Sequence, residues 1–216
     1  MNAKEVAKKL KEVREASSKR NFTQNFDLIF NLQNMDLKKP ESKVDVGVPI
    51  ACNVKSKKLK ICAVIDHSVN GAEKVFDKVI FSDELPSLKG NMKKLREITH
   101  GYDKFVVQAN HMPLFAQILG RFLGPMNKMP SPKLGMIITA KTPLGPLAEK
   151  IQRTVHLQTK KNLVIQATVG SEKESDEVIA DNIVHVYEAL LHALPNQKNN
   201  VKNVNLKLTM GKLVVL

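Results

Sequence analysis

Acidic residues are scarce in this chain. Its 216 residues hold 21 Asp and Glu against 34 Lys and Arg, a formal charge of +13 at neutral pH. A chain that is merely soluble gains nothing from that much self-repulsion, so a polyanionic partner is implied. Long apolar runs are missing as well. The longest, such as residues 163–169, fall far short of the ~20 residues a spanning helix needs. Of the two common polyanions, nucleic acid is therefore favoured over an acidic membrane. The opening residues carry no apolar segment of signal-peptide length, and a cytoplasmic protein is expected.

Cysteine is nearly absent. Cys52 and Cys62 are the only two, they lack the paired spacing of a zinc site or a redox motif, and both read as reduced thiols. Histidines 67, 100, 111, 156, 185 and 192 show no metal-ligand spacing, so no metal centre is expected. A phosphate fingerprint is also missing. Residues 66–71 contain a single glycine, and the loop after residue 120 lacks the G-x-x-x-x-G-K-[ST] arrangement. Pro125 there removes an N–H that a phosphate cradle would use. A nucleotide- or cofactor-binding enzyme is the main rival reading, with Asp66 and His67, after a strand, as its best remaining catalytic candidates. No cofactor is expected, and neither repeats nor low-complexity tracts occur.

What the chain does have is ordered patterning. Val6, Leu10 and Val13 fall at helical spacing within residues 2–17. Residues 26–32 suit a short helix or a strand, and a turn follows at Lys38, Lys39, Pro40 and Glu41. Val44, Val46, Val48 and Ile50 then alternate with other residues as in a half-buried strand. From Leu59 the character changes. Residues 59–65, 78–81 and 105–109 are short apolar runs suited to strands covered on both faces, with residues 85–99 and 113–122 as helices between them, the mark of a parallel α/β sheet. After Arg153 the period of two returns at Val155 and Leu157, and again at Leu163, Ile165, Ala167 and Val169, with Lys160, Lys161 and Asn162 as a hairpin tip. Ser175 is placed to cap a helix striped by Ile179, Ile183, Val186, Leu190 and Leu194, which Pro195 ends. A last strand points Val204, Leu206 and Leu208 one way and Asn203, Asn205, Lys207 and Thr209 the other. The expected fold is α+β and α/β. Segments 1–58 and 154–216 combine into a split α+β domain, and 59–153 forms an inserted three-layer Rossmann-like α/β domain.

Three places offer binding chemistry. The polar face of the last strand runs into Met210, Gly211 and Lys212, which suits an RNA platform or simply a solvated face ending in a glycine turn. Around residues 21–26, amides and a hydroxyl surround Phe22 and Phe26; Phe26 suits the core better, and Phe22 suits either the core or a stacked base. Gln158, Thr159, Lys160 and Lys161 add charge at a tip that is equally well explained by solvation. Residues 120–133 then pack two glycines beyond an apolar helix start, three prolines and three cations into fourteen positions: Gly120, Gly124, Pro125, Pro130 and Pro132 with Arg121, Lys128 and Lys133. This reads as a rigid loop or hinge presenting charge, and its cations, with Lys141, meet RNA phosphate or only water.

Taken together, Asn21 to Gln24, the segment from Met35 to Pro40, the Leu123-Gly124-Pro125 loop with its later prolines, Val169-Gly170 and the terminal Thr209-Met210-Gly211 closely resemble the "L one" family of large-subunit ribosomal proteins, in its archaeal form. The resemblance implies a non-enzymatic protein of the cytoplasmic ribosome, monomeric when free, that binds a stalk region of large-subunit rRNA. It also implies assistance in releasing deacylated tRNA from the exit site and repression of its own mRNA. Carried over position by position, it places RNA contacts on Phe22, Thr23, Gln24 and Asn25, on Gln158, Lys160 and Lys161, and on Asn203, Lys207, Thr209, Met210 and Gly211. Asn25 and Asn203 stand where the family often has Thr or Ser, and Gln158 where an arginine is common in bacterial members.

Overall fold

The computed structural model describes residues 3–37, 42–54, 57–67, 71–139, 142–160 and 162–216. The expected turn at Lys38 to Glu41, together with Lys141 and Lys161, lies outside them. The chain divides into two compact units, one made of Met1–Lys58 with Arg153–Leu216, the other of Leu59–Gln152.

The unit made from the two ends holds α1 (Ala3–Glu15), β1 (Asn25–Leu32), β2 (Asp45–Pro49), β7 (Thr154–Gln158), β8 (Val164–Ser171), α7 (Asp176–Ala193), β9 (Val201–Leu208) and β10 (Val214–Val215). Val6, Leu10 and Val13 are buried on one stripe of α1, and Ile179, Ile183, Val186 and Leu190 on one stripe of α7. Both helices contribute to one core with Phe26, Leu28, Phe30 and Leu32, the alternate residues of β1. Each such side chain contributes ~1.5–3 kcal/mol by leaving water. The strands run in the order β10-β9-β1-β8, with β1 antiparallel to both neighbours. One sheet face is therefore filled by the core. The other carries Asp27, Ile29 and Asn31 of β1, none of them fully buried.

The expected hairpin around residue 160 does not form. β7 pairs with β2 in a separate two-stranded ladder, while β8 pairs with β1. Thr159 extends the first ladder: its amide donates to the Val44 carbonyl (3.0 Å), and its hydroxyl accepts from the Val44 amide (2.9 Å). The chain thus leaves one sheet before joining the other. Ser175 does occupy the start of α7, but its hydroxyl makes no capping bond; its carbonyl accepts the Ile179 amide instead.

The inserted unit is a parallel sheet in the order β4-β3-β5-β6, formed by β3 (Ile61–Ile65), β4 (Lys78–Phe81), β5 (Lys104–Gln108) and β6 (Ile137–Ile138). All five residues of β3 are buried, Cys62 and Val64 in one core, Ile61, Ala63 and Ile65 in another. The first core receives α3 (Leu85–Leu88), α4 (Met92–Gly101) and α5 (Met112–Leu123). The second receives α2 (Ala72–Val75) and α6 (Leu144–Gln152). Helices on both faces explain why β3 is apolar and buried along its whole length.

Residues 85–99, expected as one helix, are two. Gly90 at φ +102° breaks the run, and Asn91 Oδ1 accepts the Lys94 amide at 3.2 Å to start α4. α6 was not anticipated, because Gly145 and Pro146 read as loop; both lie in its first turn, where proline costs nothing. Arg153, expected in the insert, belongs to the terminal unit, where its carbonyl accepts the Ile50 amide at 2.8 Å and prolongs the β2–β7 ladder.

Candidate nucleic-acid interface

Antiparallel pairing brings the start of β1 to the end of β9, so segments 22–25 and 207–211, far apart in sequence, meet at one corner of the sheet. The Thr209 amide donates to the Asn25 carbonyl (3.0 Å). The Thr209 hydroxyl accepts from the Asn25 amide (3.1 Å) and donates to the Asn25 carbonyl (3.2 Å). Gln24 is buried, and its Oε1 accepts the Met210 amide at 3.1 Å. Its backbone is tied to Glu172, whose amide donates to the Gln24 carbonyl (2.9 Å) and whose Oε2 accepts the Gln24 amide (3.1 Å). Gln24 therefore holds the corner together, while Phe22 and Met210, 53% and 61% exposed, form its open apolar surface.

Behind the corner stands Arg14 of α1. Its guanidinium donates to Asp176 Oδ1 (2.8 Å) and to the carbonyls of Glu172 (2.8 Å) and Glu174 (3.1 Å), and it lies over the Phe26 ring at 5.1 Å. Such a satisfied, part-buried cation fixes a scaffold. Gly211 serves packing as well. A Cβ there would collide with Ser17 Oγ and approach Leu208 Cβ to 3.1 Å. Its absent side chain lets the turn close on the end of α1.

From this corner the open face of the sheet continues along β1, β8 and β9. Cα register places Asp27 opposite Lys207 and Thr168, Ile29 opposite Asn205 and Gln166, and Asn31 opposite Asn203 and Val164. Thr168 Oγ1 donates to Asp27 Oδ1 (3.0 Å), and Asn31 Nδ2 donates to Asn203 Oδ1 (2.5 Å). A groove of about 330 Å³ is lined by Asp27, Ile29, Gln166, Ala167, Thr168 and Lys207. Asn205 is 5% exposed, and its Oδ1 has no hydrogen-bond partner among the described residues. An orphaned buried acceptor of this kind costs ~1–3 kcal/mol until a donor reaches it. Asn205 was expected on the polar face of the last strand, but Asp27, Gln166 and Thr168 were missed as site residues, although the alternation of β1 and β8 could have placed them on this face.

Residues 10–212 match the Ribosomal protein L1p/L10e family. The Large ribosomal subunit protein uL1 of Pyrococcus horikoshii is 35% identical over 97% of this chain and 94% of its own length. That of Methanobrevibacter smithii is 37% identical over 97% of both chains. That of Nanoarchaeum equitans is 37% identical over 95% of this chain and 96% of its own. The chain belongs to the L1p/L10e family of ribosomal proteins. That family is not one of enzymes.

Not every expected contact falls at the corner. Val164 lies opposite Asn31, whereas Ser171 lies opposite Asn25. Lys160, shortly before β8, therefore belongs to the far end of the sheet, while Gln158 ends β7 opposite Asp45 in the separate ladder. Six strand steps separate the two ends, about 20 Å. Lys128 was expected to meet phosphate or water. Instead its Nζ donates to the carbonyls of Thr99 (2.8 Å) and Tyr102 (2.7 Å), at the C-terminal end of α4, where a cation is favoured. Around it Pro130 is buried, whereas Gly124, Pro125 and Pro132 are exposed.

The two groups of the rival reading are each engaged by other neighbours. Asp66 Oδ1 lies 2.6 Å from His111 Nε2 and accepts from Ser82 Oγ at 2.7 Å, and the Asp66 amide donates to Gln108 Oε1 at 2.9 Å. These groups sit between β3 and β5, the switch point where open α/β sheets take ligands. His67 stacks on Phe81 at 4.1 Å. Among the described residues no group of three or more His, Cys, Asp or Glu is placed to hold a metal ion, and no helix is long and apolar enough to cross a membrane.

Proposed function

We propose that the chain is a structural constituent of the large ribosomal subunit in the cytoplasm, and that the terminal unit is its rRNA-binding domain. The observation that carries the placement is the open polar face running from Phe22, Asn25 and Met210 across Asp27, Thr168, Lys207 and Asn205 to Asn31 and Asn203. Amides, hydroxyls and one buried unpaired acceptor suit ribose 2′-OH groups and base edges along a shallow RNA groove. Lysines add affinity by counterion release. Lys160, and Lys161 beyond the described residues, extend the reach at the far end, with Gln158 just before them at the end of β7.

Finer roles rest on the family. The protein would belong to the mobile stalk, with the inserted unit as a separate domain that contacts deacylated tRNA leaving the exit site. The same face would repress translation by binding a similar fold in its own mRNA. The test is affinity for a large-subunit rRNA stalk fragment against a scrambled RNA of equal length, over several salt concentrations. A preference of several orders of magnitude that survives added salt is expected. Equal, steeply salt-dependent binding to both would reduce the reading to charge alone.

A further inference from the structure

All four strands of the inserted sheet are parallel, so their starts lie on one edge, opposite the switch point already described. At that edge a groove of about 470 Å³ opens between the strand starts and helices α3 and α4. This is the size range of small-molecule sites. Its apolar lining is Ile80, Leu88, Ile98 and Tyr102, and around these stand Lys60, Lys78 and Lys94. Lys60 precedes β3, Lys78 opens β4 and Lys94 lies in the first turn of α4. All three are exposed, and none makes an ion pair with a described residue. Two carboxylates, Glu84 and Glu97, share the lining with the Ser87 hydroxyl.

The charge balance selects the ligand. Three ammonium groups against two carboxylates leave a small positive excess, which suits phosphodiesters of one charge each. A free nucleoside triphosphate or an acidic peptide would bring several anionic groups against Glu84 and Glu97. The carboxylates are instead acceptors for a ribose hydroxyl or an amino group on a base edge. Tyr102 and the aliphatic floor provide a surface on which a base can lie, the combination by which single strands are held.

We propose that this groove is a second RNA-binding site, in which an unpaired nucleotide rests on the partly exposed Tyr102 and Leu88, over the buried Ile80 and Ile98, while adjoining phosphates meet Lys60, Lys78 and Lys94. It goes beyond the face of the terminal unit and does not depend on it.

The test uses the full chain and a fluorescent hexauridylate, titrated at several salt concentrations. Changing Lys60, Lys78 and Lys94 together to alanine is expected to weaken hexauridylate binding at least tenfold. The salt slope should also fall by about 2, from ~0.7 per phosphate on a single strand. Tyr102→Leu should weaken binding at least fivefold at unchanged salt slope. A Phe22→Ala/Met210→Ala variant should bind hexauridylate as wild type does, while losing affinity for the rRNA stalk fragment. Wild-type binding by the triple-lysine variant would overturn the proposal, as would displacement by polyglutamate as effective as by unlabelled RNA. Loss of hexauridylate binding in the Phe22/Met210 variant would assign the single strand to the terminal face instead.

Discussion

Thr209 sits at the corner of the interface with its hydroxyl already engaged by Asn25, as acceptor and as donor. Its removal acts first on the protein. Thr209→Ala is expected to cost ~1 kcal/mol of stability and to weaken RNA binding by loosening Met210, while Thr209→Ser restores both. Met210→Ala has little packing to lose, and is expected to leave the melting temperature unchanged while weakening rRNA binding by ~1–2 kcal/mol. Thermal melts beside RNA titrations of the three variants separate the roles, and a Met210→Ala protein with wild-type affinity would remove that side chain from the interface. Cysteine chemistry is decided by burial. It pushes the Cys62 thiol up to about 12 and raises Cys52 too, against the lowering effect of a hydrogen bond from Asn182. Since Cys62 is raised in the folded state, the stability linked to it is full below its ordinary value of about 9 and is lost as the pH rises toward 12. At pH 8 neither thiol should react with a water-soluble disulfide reagent on the folding-stable timescale, and both should react in denaturant. Rapid labelling of Cys62 in the native protein would contradict its burial.

At the scale of elements, most of the fold was legible because burial alternates cleanly. α1 and β1 bury the residues that their periods select, and β9 does so at Val204, Leu206 and Leu208 while burying Asn205 as well. What escaped was long-range pairing: nothing local tells β7 to pair with β2 rather than with its neighbour β8. Lys128 escaped for a similar reason, since the carbonyls it meets lie 26 and 29 residues earlier in the chain. In sequence it is one more cation in a basic protein. In the structure it ties the turn after α5 to the end of α4. Lys128→Ala removes both charge-assisted bonds and is expected to destabilise the protein by ~2 kcal/mol without altering rRNA affinity. Lys128→Met keeps the stem but not the charge, and should be nearly as unstable. Unchanged stability with weakened RNA binding would return Lys128 to the role of a phosphate contact. The candidate site divides in the same way. Phe22, Asn25 and Met210 could be named from local pattern, whereas Gln24 as a brace, Gly211 as a packing glycine and Asn205 as an orphaned acceptor require the register of three strands and the end of α1.

For the whole molecule, the question is which unit carries specificity. Among the described residues, the core of the terminal unit includes none from 59–152, and the two cores of the insert contain none from outside it. The join is equally local. Pro49 pairs with Thr154, so the chain leaves and returns on adjacent strands. Within the insert, the buried Gln152 side chain clips the other side of the crossing, donating to the Leu59 carbonyl (2.7 Å) and accepting its amide (2.9 Å). Excising residues 59–152 and closing the gap with a short flexible linker removes this clip together with both groups that it satisfies. The excised protein is therefore expected to fold, to melt cooperatively and to keep its preference for the rRNA stalk fragment over scrambled RNA. Its hexauridylate affinity should fall to that of the triple-lysine variant. Circular dichroism and the same salt-resolved titrations decide the matter. A folded product that binds hexauridylate but no longer distinguishes the two larger RNAs would reverse the division of labour, giving shape recognition to the insert and only charge to the open sheet face.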